Sequence, residues 1–413
     1  MLQQTFPAYY QRSLYWSATE SLTLALRLLC SNRISTGPEL REVTKWLAEK
    51  YSCDQLFAVG SGRCAITLFL RAVQQQRPAQ NKILVPFYIC PSVLEAIQQT
   101  GFTPSYLPIG KNLNLCQDVV ERHDAEGAAA IIIPHTYGYP ADVPEIAAAA
   151  RQKNPDIVVL DDAAAAFDVR YGTTLAGRSG DGGILSFSQG KMLNASGGGI
   201  LFVHNRKLLA DVQKMYEQLS LQAPAAKLLD FFQVLRRYGF HRFSDPVDYW
   251  LSRLSMSRAA FRGNFSRMAN LDAALLLRQR RKIRSIHNRR GAIIRFFHDQ
   301  LDQTDTLFFA QGLVTGMPPV SRLYVGLRGH KVELTSGFQI RHENPFFLFL
   351  RSRGIKAFYP YFPVPGQGEE YDRLWMENQW LLSLVGLPVD FRREPAQYSF
   401  LIDTIMEYIG RYG

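Results

Sequence analysis

Between residues 54 and 205 the chain sets short, unbroken apolar runs against stretches of helical spacing, and few folds accept that rhythm. LFAV (56–59) leads into a helix expected from about Arg63, and ILVP (83–86) into one from about Pro91. AAAIIIP (128–134) precedes a helix near 141–153, and IVVL (157–160), GILSF (183–187) and GILFV (199–203) follow. The runs are continuous rather than alternating, so both faces of each strand must be covered. Strand, helix, strand in this order implies a mostly parallel sheet with helices on both faces, an α/β domain.

Past residue 205 the rhythm changes. LLDFFQVLRRYGFHRF (228–243) and LDAALLLRQRRKIRSIHNRRGAIIRFF (271–297) read as long basic helical stretches, the second with apolar residues at helical spacing and arginines opposite. LFFA (307–310) and RLYVGLR (322–328) read as strands among helices at 344–352 and 399–412, which suggests a smaller α+β unit. The expected division is a large domain over 1–255, including a basic, aromatic insertion at about 206–255, and a small one over 256–413. A chain of 413 residues, 47% hydrophobic, has enough apolar matter for two such cores.

The net charge of +11 is local: residues 206–300 hold 19 Lys and Arg against 7 Asp and Glu. Such a block suits an anionic partner (nucleic acid, a membrane surface, a phosphorylated substrate, an acidic carrier protein) or a solvated helix face with salt bridges between subunits. No nucleic-acid-binding motif accompanies it. No apolar stretch nears the roughly 18–20 residues that span a bilayer, and the first residues lack the pattern of a signal peptide, so a cytoplasmic protein is expected. Cys30, Cys53, Cys64, Cys90 and Cys116 are scattered, odd in number and without metal-ligand spacing, which reads as reduced thiols, with no disulfide framework and no zinc.

Lys191 lies in SFSQGK (186–191), between an apolar run and Gly197-Gly198-Gly199, some way after the pair Asp161-Asp162 that closes another run. A pyridoxal phosphate (PLP) site needs a lysine for its Schiff base and a carboxylate facing the pyridine nitrogen, at the carboxyl ends of parallel strands. A lone lysine after a strand is ordinarily a solvated surface group; Ser186, able to bind a phosphate oxygen, and the following glycines set this one apart. Strand alternation lets only one of Asp161 and Asp162 face a cofactor, and an Asp here can also simply cap a helix. Gly60-Ser61-Gly62-Arg63 joins a strand to a helix, as a phosphate cradle or as an ordinary tight turn. His135 and Tyr137 follow a central strand, either as buried, satisfied residues or at the active edge, binding substrate.

Taken together these segments resemble the DegT/DnrJ/EryC1/StrS sugar aminotransferases, PLP enzymes of fold type I. The resemblance runs through RISTGP (33–38), VGSGRCAI (59–66), ILVPFYICPSVLEAI (83–97), HTYGYPADVPEI (135–146), VVLDDAAAAF (158–167), SFSQGKML (186–193) and RGNFSRMANLDAALLLRQ (262–279). It implies that Lys191 holds PLP as a Schiff base, that Asp162 rather than Asp161 serves the pyridine nitrogen, and that Gly62, Arg63, Ser186 and Asn264 help bind the cofactor. It also implies a homodimer, an amino donor such as glutamate, and a keto sugar acceptor, commonly nucleotide-linked.

Several positions depart from the family pattern. Ala165 stands where Gln or His is usual, and Arg63 replaces a small hydroxyl residue, leaving its amide and its charge as phosphate contacts. The ring-stacking aromatic falls at Cys90, with Tyr88 as the substitute; Asn264 sits one place off register, and FYPYFPVPGQ (358–367) lacks the expected histidine. These departures leave open a carrier-protein-bound or lipid-linked ketone, or a binding protein that has lost turnover. A dehydration is disfavoured, because family members of that kind carry histidine in place of Lys191.

Overall fold

Among the described residues of the first half of the chain are nine short strands with helices between them. The computed structural model describes residues 16–123, 125–235, 265–301, 304, 306–310, 322–328, 344–355, 357–390 and 393–412. The expected 255/256 division, most of the insertion beyond residue 235, and Asn264 lie outside them. The strands are β1 (Leu56–Val59), β2 (Lys82–Pro86), β3 (Thr103–Leu107), β4 (Ala128–Pro134), β5 (Val158–Asp162), β6 (Arg170–Tyr171), β7 (Thr174–Leu175), β8 (Gly182–Ser186) and β9 (Gly199–Val203).

Seven of them form one sheet in the order β1-β9-β8-β5-β4-β2-β3, in which only β9 runs against its neighbours. β6 and β7 make a separate hairpin. The apolar runs foretold six of the sheet strands; β3 escaped, because TPSYL at the sheet edge is polar and only half covered. The central strands are buried on both sides, Ile131, Ile132 and Ile133 completely, and each such side chain contributes about 1.5–3 kcal/mol. Helices Gly62–Gln76 and Pro91–Gln99 cover one face; Pro38–Tyr51 and Asn270–Arg280 cover part of the other.

The second sheet is antiparallel, with β11 (Leu323–Leu327) between β10 (Leu307–Phe309) and β12 (Val385–Leu387). Helices Pro345–Ser352 and Ser399–Tyr412 stand where the sequence suggested. The long stretch 271–297 divides into Asn270–Arg280 and Ile283–Leu301. Helix Asn270–Arg280 is buried along most of its length against Pro38–Tyr51, and the break falls at the consecutive charges Arg280-Arg281-Lys282, where the Lys282 amide donates to the Gln279 carbonyl (2.8 Å). Residues 268–286 pack on one face of the large sheet, whereas Ile293, Ile294, Phe297 and Leu301 join the core that its other face shares with the small one. The passage between the two units therefore runs along helix Ile283–Leu301.

Candidate functional site

Every parallel strand ends at the same edge of the large sheet, and the chemistry-bearing residues gather there. After β1, the Ser61 side chain caps helix Gly62–Gln76 by accepting from the Cys64 amide (3.1 Å). Ser186, at the end of β8, lies directly against this turn: a Cβ on Gly62 would sit 2.9 Å from Ser186 Cβ and 3.1 Å from its hydroxyl. Only glycine fits. The first-turn amides left free by the Ser61 cap and the Ser186 hydroxyl are thus close together, the arrangement that a phosphate cradle requires. Arg63 contributes its place in that turn, while its guanidinium pairs with Glu95 on the neighbouring helix.

The two acids closing β5 face opposite ways. Asp162 Oδ1 accepts from the Ala164 amide (2.9 Å), and its buried carboxyl neighbours Lys191. Burial pushes Asp162 above the ordinary carboxylate range, against the pull of that amide, Lys191 and His135. Burial likewise pushes the Lys191 amine down; Cys90 and Asp162 oppose the shift and the Arg322 cation adds to it. The loop carrying Lys191 is tied down behind it, Gln189 to the Ala195 carbonyl (3.0 Å) and Gln279 to the Asn194 carbonyl (2.7 Å).

Asp161 instead binds His135. Its Oδ1 lies 2.8 Å from His135 Nε2, and its Oδ2 accepts from the Ser179 amide (2.9 Å). The Ala141 amide donates to His135 Nδ1 (2.8 Å), which fixes the ring proton on Nε2. Both nitrogens are committed within the protein, so the expectation of His135 as a substrate ligand gives way to a residue that braces the ends of β4 and β5.

Tyr137 adopts left-handed backbone (φ 56°, ψ 13°), uncommon for a bulky side chain. The turn swings its hydroxyl to 2.7 Å from that of Tyr88, and the Tyr361 amide donates to it (3.0 Å). Tyr324 and Tyr361 pack on its ring at centroid distances of 4.4 and 4.8 Å. Tyr88 is buried among these rings and Trp375, in the seam between the two units, which leaves Cys90 as the one of the pair beside Lys191. Tyr361, Tyr324 and Arg322 come from the small unit, and sequence reasoning missed all three. The segments bearing them were visible only as a strand and as a run lacking a histidine.

In the described part of the basic stretch some charges are engaged within the protein, while Arg206, Lys207, Lys214, Arg278, Arg281, Lys282 and Arg284 are exposed. Lys227 pairs with Asp272 in the interior, Arg267 donates to the Tyr216 and Glu217 carbonyls, and Arg289 pairs with Glu394. Among the described residues no helix is long and apolar enough to cross a membrane.

Residues 17–365 match the model of the DegT/DnrJ/EryC1/StrS aminotransferase family. A GDP-perosamine synthase of Escherichia coli O157:H7 is 25% identical over 42% of this chain, an alignment that spans about half (47%) of that relative's length. A dTDP-3-amino-3,4,6-trideoxy-alpha-D-glucose transaminase of Streptomyces venezuelae is 25% identical over 93% of this chain and 91% of its own. Among solved structures, the Helicobacter pylori aminotransferase PseC superposes with a TM-score of 0.75 at 15% identity, covering 99% of this chain and all (100%) of that one, a likeness of fold.

Proposed function

The chain belongs to the DegT/DnrJ/EryC1/StrS aminotransferase family, and from that membership we propose that it is a PLP-dependent enzyme that moves an amino group from an amino acid to a keto sugar. The observation that carries the reading is the placement of the Lys191 amine near the buried Asp162 carboxyl, at the sheet edge where Gly62 and Ser186 lie directly against each other. These residues fit the cofactor group by group: the cradle suits its phosphate, Asp162 its pyridine nitrogen and Lys191 its aldehyde. When bound, PLP supplies that aldehyde and a ring able to take up the electron pair left at a substrate carbon.

The protein's own share follows from the positions of its groups. An amine held below its ordinary basicity is available in the neutral form, so Lys191 Nζ would take the proton from the donor's reacting carbon and give it up again within the same half-reaction, and would move a proton in the opposite sense in the second. Asp162 keeps the ring nitrogen charged once a cation offsets its burial. The hydroxyls of Tyr88 and Tyr137, from the large unit, and of Tyr361, from the small one, are kept protonated by burial and roof the site. A nucleotide-linked keto sugar is the acceptor class that the names of the relatives support, and glutamate is the expected donor. Exposed Leu26, Leu29, Leu229 and Phe232, on helices Ala18–Cys30 and Pro224–Val234, are consistent with a homodimer. A binding protein without turnover would have no use for Lys191 and Asp162 set together.

The test is an absorbance spectrum of the protein with PLP, before and after glutamate, beside Lys191→Ala. A yellow band that glutamate shifts in the wild type alone is expected. A wild type without a Lys191-dependent band would refute the enzyme reading.

A further inference from the structure

A buried ion pair stands behind the loop of Lys191. Lys227, on helix Pro224–Val234, and Asp272, on helix Asn270–Arg280, are 0% and 1% exposed, and the Lys227 ammonium pairs with Asp272 Oδ2. Asp272 Oδ1 accepts from the Ser196 hydroxyl (2.7 Å). Two apolar side chains of similar volume would join the helices as well or better, because both charges must be stripped of water. What the pair adds is a carboxylate oxygen that gives one serine hydroxyl a charge-assisted hydrogen bond.

Ser196 stands where two arms of backbone part. Before it, the Ala195 amide donates to the Phe187 carbonyl (2.7 Å), and the Ala195 carbonyl accepts from Gln189 (3.0 Å). Gln279 adds its bond to the Asn194 carbonyl, so the arm that carries Lys191 has ties of its own. After Ser196 comes the glycine tract. Gly198, in left-handed backbone (φ 98°), donates to the Gly60 carbonyl (2.7 Å), and a Cβ on Gly199 would sit 2.7 Å from the Gly62 amide nitrogen. The tract leans directly on the turn that faces Ser186, and it has no side chain with which to hold its place. Apart from backbone pairing, its anchor among the described residues is Ser196. A shift of Ser196 is therefore passed to Gly62. We propose that Lys227 and Asp272, acting through Ser196, position the glycine tract so that the Gly62 turn and Ser186 stand at the separation a phosphate needs. All three are positioning residues, and the inference rests on the PLP reading above.

The experiment titrates the Lys191-dependent absorbance band with PLP and with pyridoxal, which lacks only the phosphate. Ser196→Ala is expected to raise the PLP dissociation constant about 10-fold, the loss of one charge-assisted hydrogen bond, and to leave that of pyridoxal unchanged. The double variant of Lys227→Met with Asp272→Leu separates positioning from stability, since its interior is neutral again. Its urea midpoint should return most of the way from that of Lys227→Met, while its PLP constant stays raised about 10-fold and its pyridoxal constant does not move. An unaltered PLP constant in Ser196→Ala, equal weakening toward PLP and pyridoxal, or wild-type PLP affinity in the double variant would each overturn the proposal. Absence of the Lys191-dependent band in the wild type would instead refute the PLP reading itself.

Discussion

Asp162 shows how a residue can be right for function and wrong for stability. Burial raises its pKa, so the folded protein holds this proton more tightly than the unfolded chain does. Its contribution to stability therefore falls as pH rises from the unfolded pKa through the raised folded one, and stays reduced above both. Asp162→Asn should make the cofactor-free protein unfold at a higher temperature at pH 8, by roughly 1–3 °C, and abolish transamination. The stability gain should vanish below about pH 3, where the carboxyl is protonated in both states; a scan at the two pH values checks this. Asp162, Lys191, Gly62 and Ser186 were legible in the sequence because each sits at the end of an apolar run or in the turn after one. His135 was not: its partner Asp161 lies on the next strand, and no spacing tells which way the chain turns after β4. Arg322 was still less visible, since only the packing of the small unit brings it to Gly190.

At the scale of elements, the helices after residue 205 were foreseen as basic and aromatic, but not which charges would be interior. Lys227 on helix Pro224–Val234 is buried and pairs with Asp272 on helix Asn270–Arg280, and Asp272 Oδ1 also accepts from Ser196 (2.7 Å) in the glycine loop beyond Lys191. An amphipathic pattern suggests that a lysine lies outside, and here tertiary packing overrides it. Lys227→Met should destabilise the protein by about 3 kcal/mol, since the carboxylate is left buried without its cation, and the double variant with Asp272→Leu should recover most of that. Urea midpoints of the two variants read the difference. The strand runs were legible for the opposite reason: a sheet covered on both faces writes its burial straight into composition, and only the edge strand β3 escaped.

For the whole molecule, one core spans both units. Phe87 and Tyr88 meet Trp375 at centroid distances of 5.4 and 5.8 Å, and the tyrosine seam joins the same cluster as Leu323, Val325 and Leu387 of the small sheet. Calorimetry of the PLP-free protein should therefore give one endotherm for the large and small sheets together, while two resolved transitions would show that the units fold apart. Helix Ile283–Leu301 contributes its first turns to the cluster on the other face of the large sheet and its last to this shared core. That splice has a bearing on chimeras. A junction near residue 255 would transplant the front half of this helix away from the sheet it was selected to fit, and one near residue 290 would divide the helix between parents. Exchange of acceptor halves with a relative is best made by moving the helix together with both surfaces it touches, so the unit of inheritance here is larger than the small sheet.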